Sequence, residues 1–156
     1  MTDHRNFAVP KEKQQVKVHL LGGEALAGSI FLEYKPEAVT VYQKVASFLE
    51  DRTSFFPIAV GELKPQIVGK TSVKILEIEY PEDESIFSLK RIENVAVMLS
   101  DGSRIDGLLM ADVPEERDRL SDCLNLPERF LSLRLSGKIL FINKALIRKV
   151  LYGAKD

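Results

Sequence analysis

The sequence predicts a mainly β protein built from two tandem units, each a small bent β-barrel with one short inserted helix. Two observations carry this. The segment VKVHLLGGEALAGSIF at 16–31 returns at 95–110 as VAVMLSDGSRIDGLLM, with five of sixteen positions identical: Val16/Val95, Val18/Val97, Leu20/Leu99, Gly23/Gly102 and Gly28/Gly107. Three further matches then follow in the same order in both halves, which a duplication explains better than chance pairing.

The elements follow one by one. Val-x-Val-x-Leu alternates with period two, the pattern of a half-buried first strand. Gly22-Gly23 and Asp101-Gly102 come next, dipeptides that suit tight hairpins. A second strand is expected over about 25–34 and 104–111. Gly28 and Gly107 fall inside it, where a glycine marks a sharp bend or a close backbone approach. Pro36-Glu37 and Pro114-Glu115 then open two helical segments, with proline and acid suited to a first turn. Within them Val45, Phe48 and Leu49 match Leu120, Cys123 and Leu124, both sets spaced i, i+3, i+4 on one helix face. Phe55, Phe56 and Ile58 match Phe130, Leu131 and Leu133 as a third strand. Finally IVGKTSVKI (67–75) matches FINKALIRK (141–149), each a strand, a Gly/Asn-Lys turn and a strand. The units span 14–80 and 92–156, after a tail at 1–13 and around a linker at 81–91. Within the linker Ile86, Phe87 and Leu89 are expected to pack.

The 156 residues suffice for one ordinary domain or two small ones. Twenty-two basic and 23 acidic residues give a net charge of −1, so no global basic field draws nucleic acid or anionic lipid. A single cysteine forms no intramolecular disulfide and fits a reducing compartment. The start has no apolar core of a signal peptide, and no apolar run reaches the ~20 residues of a membrane helix. The expectation is a cytoplasmic protein with no membrane partner.

With these elements in place, each unit resembles the Sm-like (LSm/Hfq-type) fold. Val95, Val97, Leu99, Asp101, Gly102, Gly107 and Leu109 fill the pattern of the first Sm motif, and the first unit has Gly22 where the Asp stands. The run Phe141–Ile147 is similar to the second motif, with 68–73 a looser version. The resemblance implies a five-stranded barrel and, in RNA-binding members, an Asp and an Asn on the third strand. Here Asp122 and Asn125 supply those residue types at another spacing and in a helical context. Ser47 and Glu50 stand at the matching positions of the first unit. The resemblance therefore does not extend to a uridine pocket.

Five residues are candidates for a ligand or RNA: Asp122, Asn125, Asn143, Lys144 and Arg148. Asp122 and Asn125 could meet a base or a partner, or simply cap and close a short helix. Lys144, with Asn143 beside it and Lys70 as its counterpart, could meet phosphate at a turn, or could be a solvated turn residue. Lys138, Lys144, Arg148 and Lys149 make an acid-free basic stretch, without interleaved aromatics for base stacking. His4 and His19 are the two histidines, and with Cys123 they form no recognisable metal set. Cys123 is expected buried on the helix face. The charges at 115–122 alternate in sign, as on a solvated helix face. No phosphate loop, dinucleotide fingerprint or nucleophile elbow is present. Neither an enzyme, a cofactor nor a metal is expected. The function read from these features is a binding or assembly module whose edge strands pair with a protein partner or with further copies of itself. RNA binding is the alternative, and a small-ligand sensor between the units is the third reading.

Overall fold

The computed structural model describes residues 11–34, 36, 40–80, 91–111 and 120–153. The chain is mainly β. In order it forms β1 (Lys11–Leu20), β2 (Ala25–Glu33), α1 (Val41–Glu50), β3 (Phe55–Ile58), β4 (Gln66–Gly69) and β5 (Val73–Glu79). It continues with β6 (Arg91–Leu99), β7 (Arg104–Ala111), α2 (Leu120–Leu124), β8 (Phe130–Leu135), β9 (Lys138–Asn143) and β10 (Ile147–Tyr152). One-turn 3-10 helices at Lys70–Ser72 and Lys144–Leu146 join β4 to β5 and β9 to β10.

Eight strands make one open antiparallel sheet in the order β10-β6-β7-β8-β9-β5-β1-β2. The β3–β4 hairpin continues it through a bridge between Ser29 and Ala59, whose backbone groups exchange two hydrogen bonds of 2.9 Å. Each half therefore repeats one order: β5-β1-β2-β3-β4 in the first, β10-β6-β7-β8-β9 in the second. Registers repeat too. Val16 faces Gly28 as Val95 faces Gly107. A bulge falls between His19 and Leu20 against β5, and an equivalent one between Ile147 and Lys149 against β6. Leu21 N–H donates to Ser72 O as Ser100 N–H does to Leu146 O, and Lys70 N–H donates to Ser54 O as Lys144 N–H does to Arg129 O.

The sheet is continuous because β5 of the first half pairs with β9 of the second, from Ile75 opposite Ile142 to Glu79 opposite Lys138. Alternation sends the side chains of this seam to two cores. Leu76 and Ile78 join Ile139 and Phe141 in a core that also holds Val45 and Leu49 of α1 and Phe130 of β8. Ile75 joins Leu140 and Ile142 in the second, with Val97, Leu109, Leu120 and Cys123. Each core thus takes residues from both halves.

Several expectations need adjustment. Strand β1 starts at Lys11, inside the segment read as a tail, and β6 starts at Arg91, the last residue assigned to the linker. Pro36 does not open α1. That helix begins at Val41 with Thr40 as its cap: the hydroxyl accepts from Gln43 N–H and the Gln43 side chain accepts from Thr40 N–H, both at 3.1 Å. His4, Glu37, the linker residues 81–90 with Ile86, Phe87 and Leu89, and the charged run 112–119 lie outside the described residues.

Candidate functional site

The five candidate residues do not converge on a site. Asn125 closes α2 by donating its backbone N–H (3.1 Å) and its Nδ2 (2.9 Å) to Ser121 O. Asp122 lies in the first turn of the same helix, where its charge complements the dipole. Asn143 is buried at the seam. Its Nδ2 donates to Val73 O across the two halves (3.0 Å), and its Oδ1 accepts from Ala145 N–H (3.0 Å). Lys144 is half-buried with Nζ donating to Leu126 O (2.9 Å), just past α2. Desolvation holds this ammonium's pKa below the usual lysine range, against the opposing pull of Glu128 and Glu50. Arg148 is exposed on β10.

Lys70, the counterpart of Lys144, behaves alike. Its buried Nζ donates to Phe48 O near the end of α1 (2.8 Å) and to Asp51 Oδ1 (2.7 Å), and lies 5.2 Å from the centre of the Phe48 ring. Both turn lysines thus reach back toward the helix of their own half: Lys70 to a carbonyl in the last turn of α1, where the dipole favours a cation, and Lys144 to one two residues past α2. Lys74 pairs with Asp101 across the halves at 2.6 Å. The Lys74 ammonium, seconded by Ser103, holds the Asp101 carboxyl far below the ordinary carboxylate range. Of the basic residues around the two turns, Arg148 and Lys149 are the exposed ones.

The seam carries a third polar latch. Glu50, the last residue of α1, accepts from the backbone N–H groups of Arg129 (2.8 Å) and Phe130 (3.1 Å). The Arg129 guanidinium in turn donates to Leu49 O (2.7 Å) and Asp51 O (3.1 Å). A cavity of about 170 Å³ lies beside this latch, lined by Leu49, Met110, Cys123, Phe130, Phe141 and Lys144 among others.

What remains open is the two ends of the sheet. Among the described residues strand β10 pairs only with β6, and β4 only with β3. Edge strands leave backbone donors and acceptors available to another strand. Apolar side chains stand bare beside both: Phe55, Leu63 and Ile67 at one end, Leu151 and Tyr152 at the other. No protein-family model, curated protein or solved structure matches this chain. The reading of the site therefore rests on these edges and on the contacts above.

Sequence patterning did not single out Lys70–Asp51, Glu50–Arg129 or Asn143–Val73, since each joins residues distant in the chain. The Cys123 thiol is buried, as its place on the helix face implied. His19 Nε2 lies 3.4 Å from Glu77 Oε1 on the neighbouring strand.

The Lys70–Asp51 pair yields the first test. Burial pushes the Asp51 carboxyl up, but hydrogen bonds from Lys70 and Thr53 outweigh it and hold the pKa below its ordinary value. A carboxyl depressed on folding stabilises above its unfolded pKa of about 4, and that contribution disappears as pH falls through the lower folded value. Asp51→Ala strips a buried ammonium of its carboxylate and is expected to cost about 2 kcal/mol at neutral pH. Asp51→Ala with Lys70→Met should cost less than Asp51→Ala alone, because the stranded charge is gone. Urea unfolding at pH 7 and pH 3 measures both, and the gap between wild type and Asp51→Ala should narrow in acid. A double variant less stable than the single would show that Lys70 does not need this carboxylate.

Proposed function

We propose that the protein is a non-enzymatic assembly module of two tandem Sm-like units, acting through its open edge strands β4 and β10. The observation that carries this reading is the sheet itself, which among the described residues ends on two unpaired edges with exposed apolar side chains beside them. Strand addition to such an edge derives affinity from main-chain hydrogen bonds and selectivity from the flanking side chains. The Sm-like reading is supported by the five-strand order common to both halves and by the close approach of the neighbouring strand at Gly28 and Gly107. The test is co-purification from the native cell after nuclease treatment, comparing wild type with Ile67→Asp and Tyr152→Asp. Protein carried by the wild type and lost from both variants supports the reading. Protein retained equally by all three contradicts it.

The basic residues speak against RNA as the main partner. Lys70, Lys74 and Lys144 are already engaged within the fold, and phosphate contacts are what make such binding strong and salt-dependent. Binding to uridine-rich or adenosine-rich single strands is expected to be weak and salt-sensitive at about 150 mM salt, where the screening length is about 8 Å. Fluorescence anisotropy checks this. Submicromolar binding abolished by Arg148→Ala would reverse the ranking in favour of RNA. A small ligand between the halves is the remaining reading, and the cavity beside Leu49 and Phe130 is the observation behind it.

A further inference from the structure

We infer that the cavity where the two halves meet binds a small aromatic carboxylic acid, its carboxylate on Lys144 and its ring between α1 and the strands of the second half. The inference gives a ligand class to the cavity beside Leu49 and Phe130. It rests on that cavity and not on the edge strands.

The lining comes from both halves. Met110, Ser132 and Phe141 are register partners on β7, β8 and β9 and form one row of it. Tyr42, Ala46 and Leu49 of α1 complete it from the first half, spaced i, i+4, i+7 along one helix face. Leu49, Met110 and Phe141 are buried, and Tyr42 stacks on Phe141. The space enclosed is about 170 Å³. An apolar cavity of about 150 Å³ accommodates one benzene ring. A single ring with a small substituent is the guest that fits.

Two polar groups in the lining are left for a ligand. Ser132 is 8% exposed, and among the described residues its hydroxyl has no hydrogen-bond partner. The second is Lys144, and the repeat shows what it lacks. Its counterpart Lys70 donates to Phe48 O and to the carboxylate of Asp51. Lys144 donates to Leu126 O, and Leu126 stands where the first half has Asp51. Among the described residues no carboxylate pairs with Lys144. An ammonium carries three donors, so two remain. A ligand carboxylate would supply to Lys144 the charge that Asp51 supplies to Lys70, in a partly desolvated place where such a pair is strong.

Glu50 and Glu128 also line the cavity and oppose an anion. Glu50 is already held by the Arg129 and Phe130 N–H groups, with the Arg129 guanidinium 3.7 Å away. Glu128 is exposed, where water and salt screen it. Lys144 directly follows Asn143, which faces Phe130, whereas Ser132 faces Phe141 two pairs further along β8 and β9. A ring lying between them can therefore carry a carboxylate toward Lys144 and a hydroxyl toward Ser132, as 4-hydroxybenzoate does.

The experiment is isothermal titration calorimetry of the purified full chain with benzoate, 4-hydroxybenzoate, benzamide, benzylamine and acetate. Benzoate should bind saturably with a Kd below about 1 mM. Benzamide and benzylamine should bind at least about tenfold more weakly, and acetate should not bind, because ring and negative charge are both required. The hydroxyl of 4-hydroxybenzoate should add affinity that Ser132→Ala removes. Lys144→Met should weaken benzoate by about tenfold and leave benzamide unchanged. Ala46→Leu fills the cavity and should abolish benzoate binding. Far-UV circular dichroism checks that each variant folds, and the comparison of benzoate with benzamide on wild type decides the matter without any variant. Absence of saturable benzoate binding overturns the inference. So does benzamide or benzylamine binding as tightly as benzoate, which would mean that Lys144 is not the recognising charge. Benzoate binding untouched by a folded Ala46→Leu would place the ligand elsewhere and overturns it too. None of these results bears on the edge strands, which protein retention by Ile67→Asp and Tyr152→Asp decides separately.

Discussion

Gly28→Ala is expected to destabilise the protein by about 3 kcal/mol, the upper part of the range for forced overpacking. A Cβ at this position would lie 2.3 Å from Ala59 O and 3.0 Å from Ala59 C, and both are backbone atoms. Ala59 is also the residue that holds the β3–β4 hairpin to β2 through its bridge with Ser29. Relief of the clash would therefore loosen that junction. The counterpart Gly107 is less tight. Its added Cβ would meet Leu135 Cδ1 at 3.0 Å and Arg134 O at 3.1 Å, and a leucine methyl can rotate away. Gly107→Ala should cost about 1 kcal/mol. Urea midpoints with unchanged slope separate the two. Equal midpoints for Gly28→Ala and wild type would show that the close approach at Ala59 is not enforced.

Phe141→Ala should cost about 3–5 kcal/mol, the usual loss for truncating a buried aromatic. The ring lies at the centre of the seam. It belongs to β9 of the second half, faces Leu76 of the first across the sheet, and stacks on Tyr42 of α1 with centroids 5.8 Å apart. Because each core draws residues from both halves, the loss should shift a single cooperative transition rather than one of two. Thermal unfolding followed by near-UV and far-UV circular dichroism provides the check. Two separable transitions, only one of them moved by Phe141→Ala, would mean that the halves fold as independent bodies.

Much of this fold was legible because it is written in local, periodic signals. Val-x-Val-x-Leu and the hairpin dipeptides place β1, β2, β6 and β7, and the in-strand glycines are where neighbouring backbone or side chains come close. The start of α1 was legible but misread. Thr40 and Gln43 form a capping box three residues apart, a stronger helix signal than Pro36. The joining of the halves carries no local signal, because the identity of a strand's neighbour depends on pairing between residues far apart in the chain. Glu79 opposite Lys138 carries no local mark. The candidate residues fared similarly. Residue type suggested that Asn143 and Lys144 contact a ligand, while burial and distant carbonyls, Val73 O and Leu126 O, engage them within the fold. The exposed Phe55, Ile67 and Tyr152 read as ordinary strand residues until the sheet order puts them beside its ends.

Amide hydrogen exchange on the protein alone and with the protein partner recovered by co-purification tests the central claim most directly. Residues 66–69 of β4 or 147–152 of β10 should gain protection on binding, while the seam strands β5 and β9 stay protected throughout. Protection gained elsewhere with exchange at both edges unchanged would contradict recognition through the edge strands.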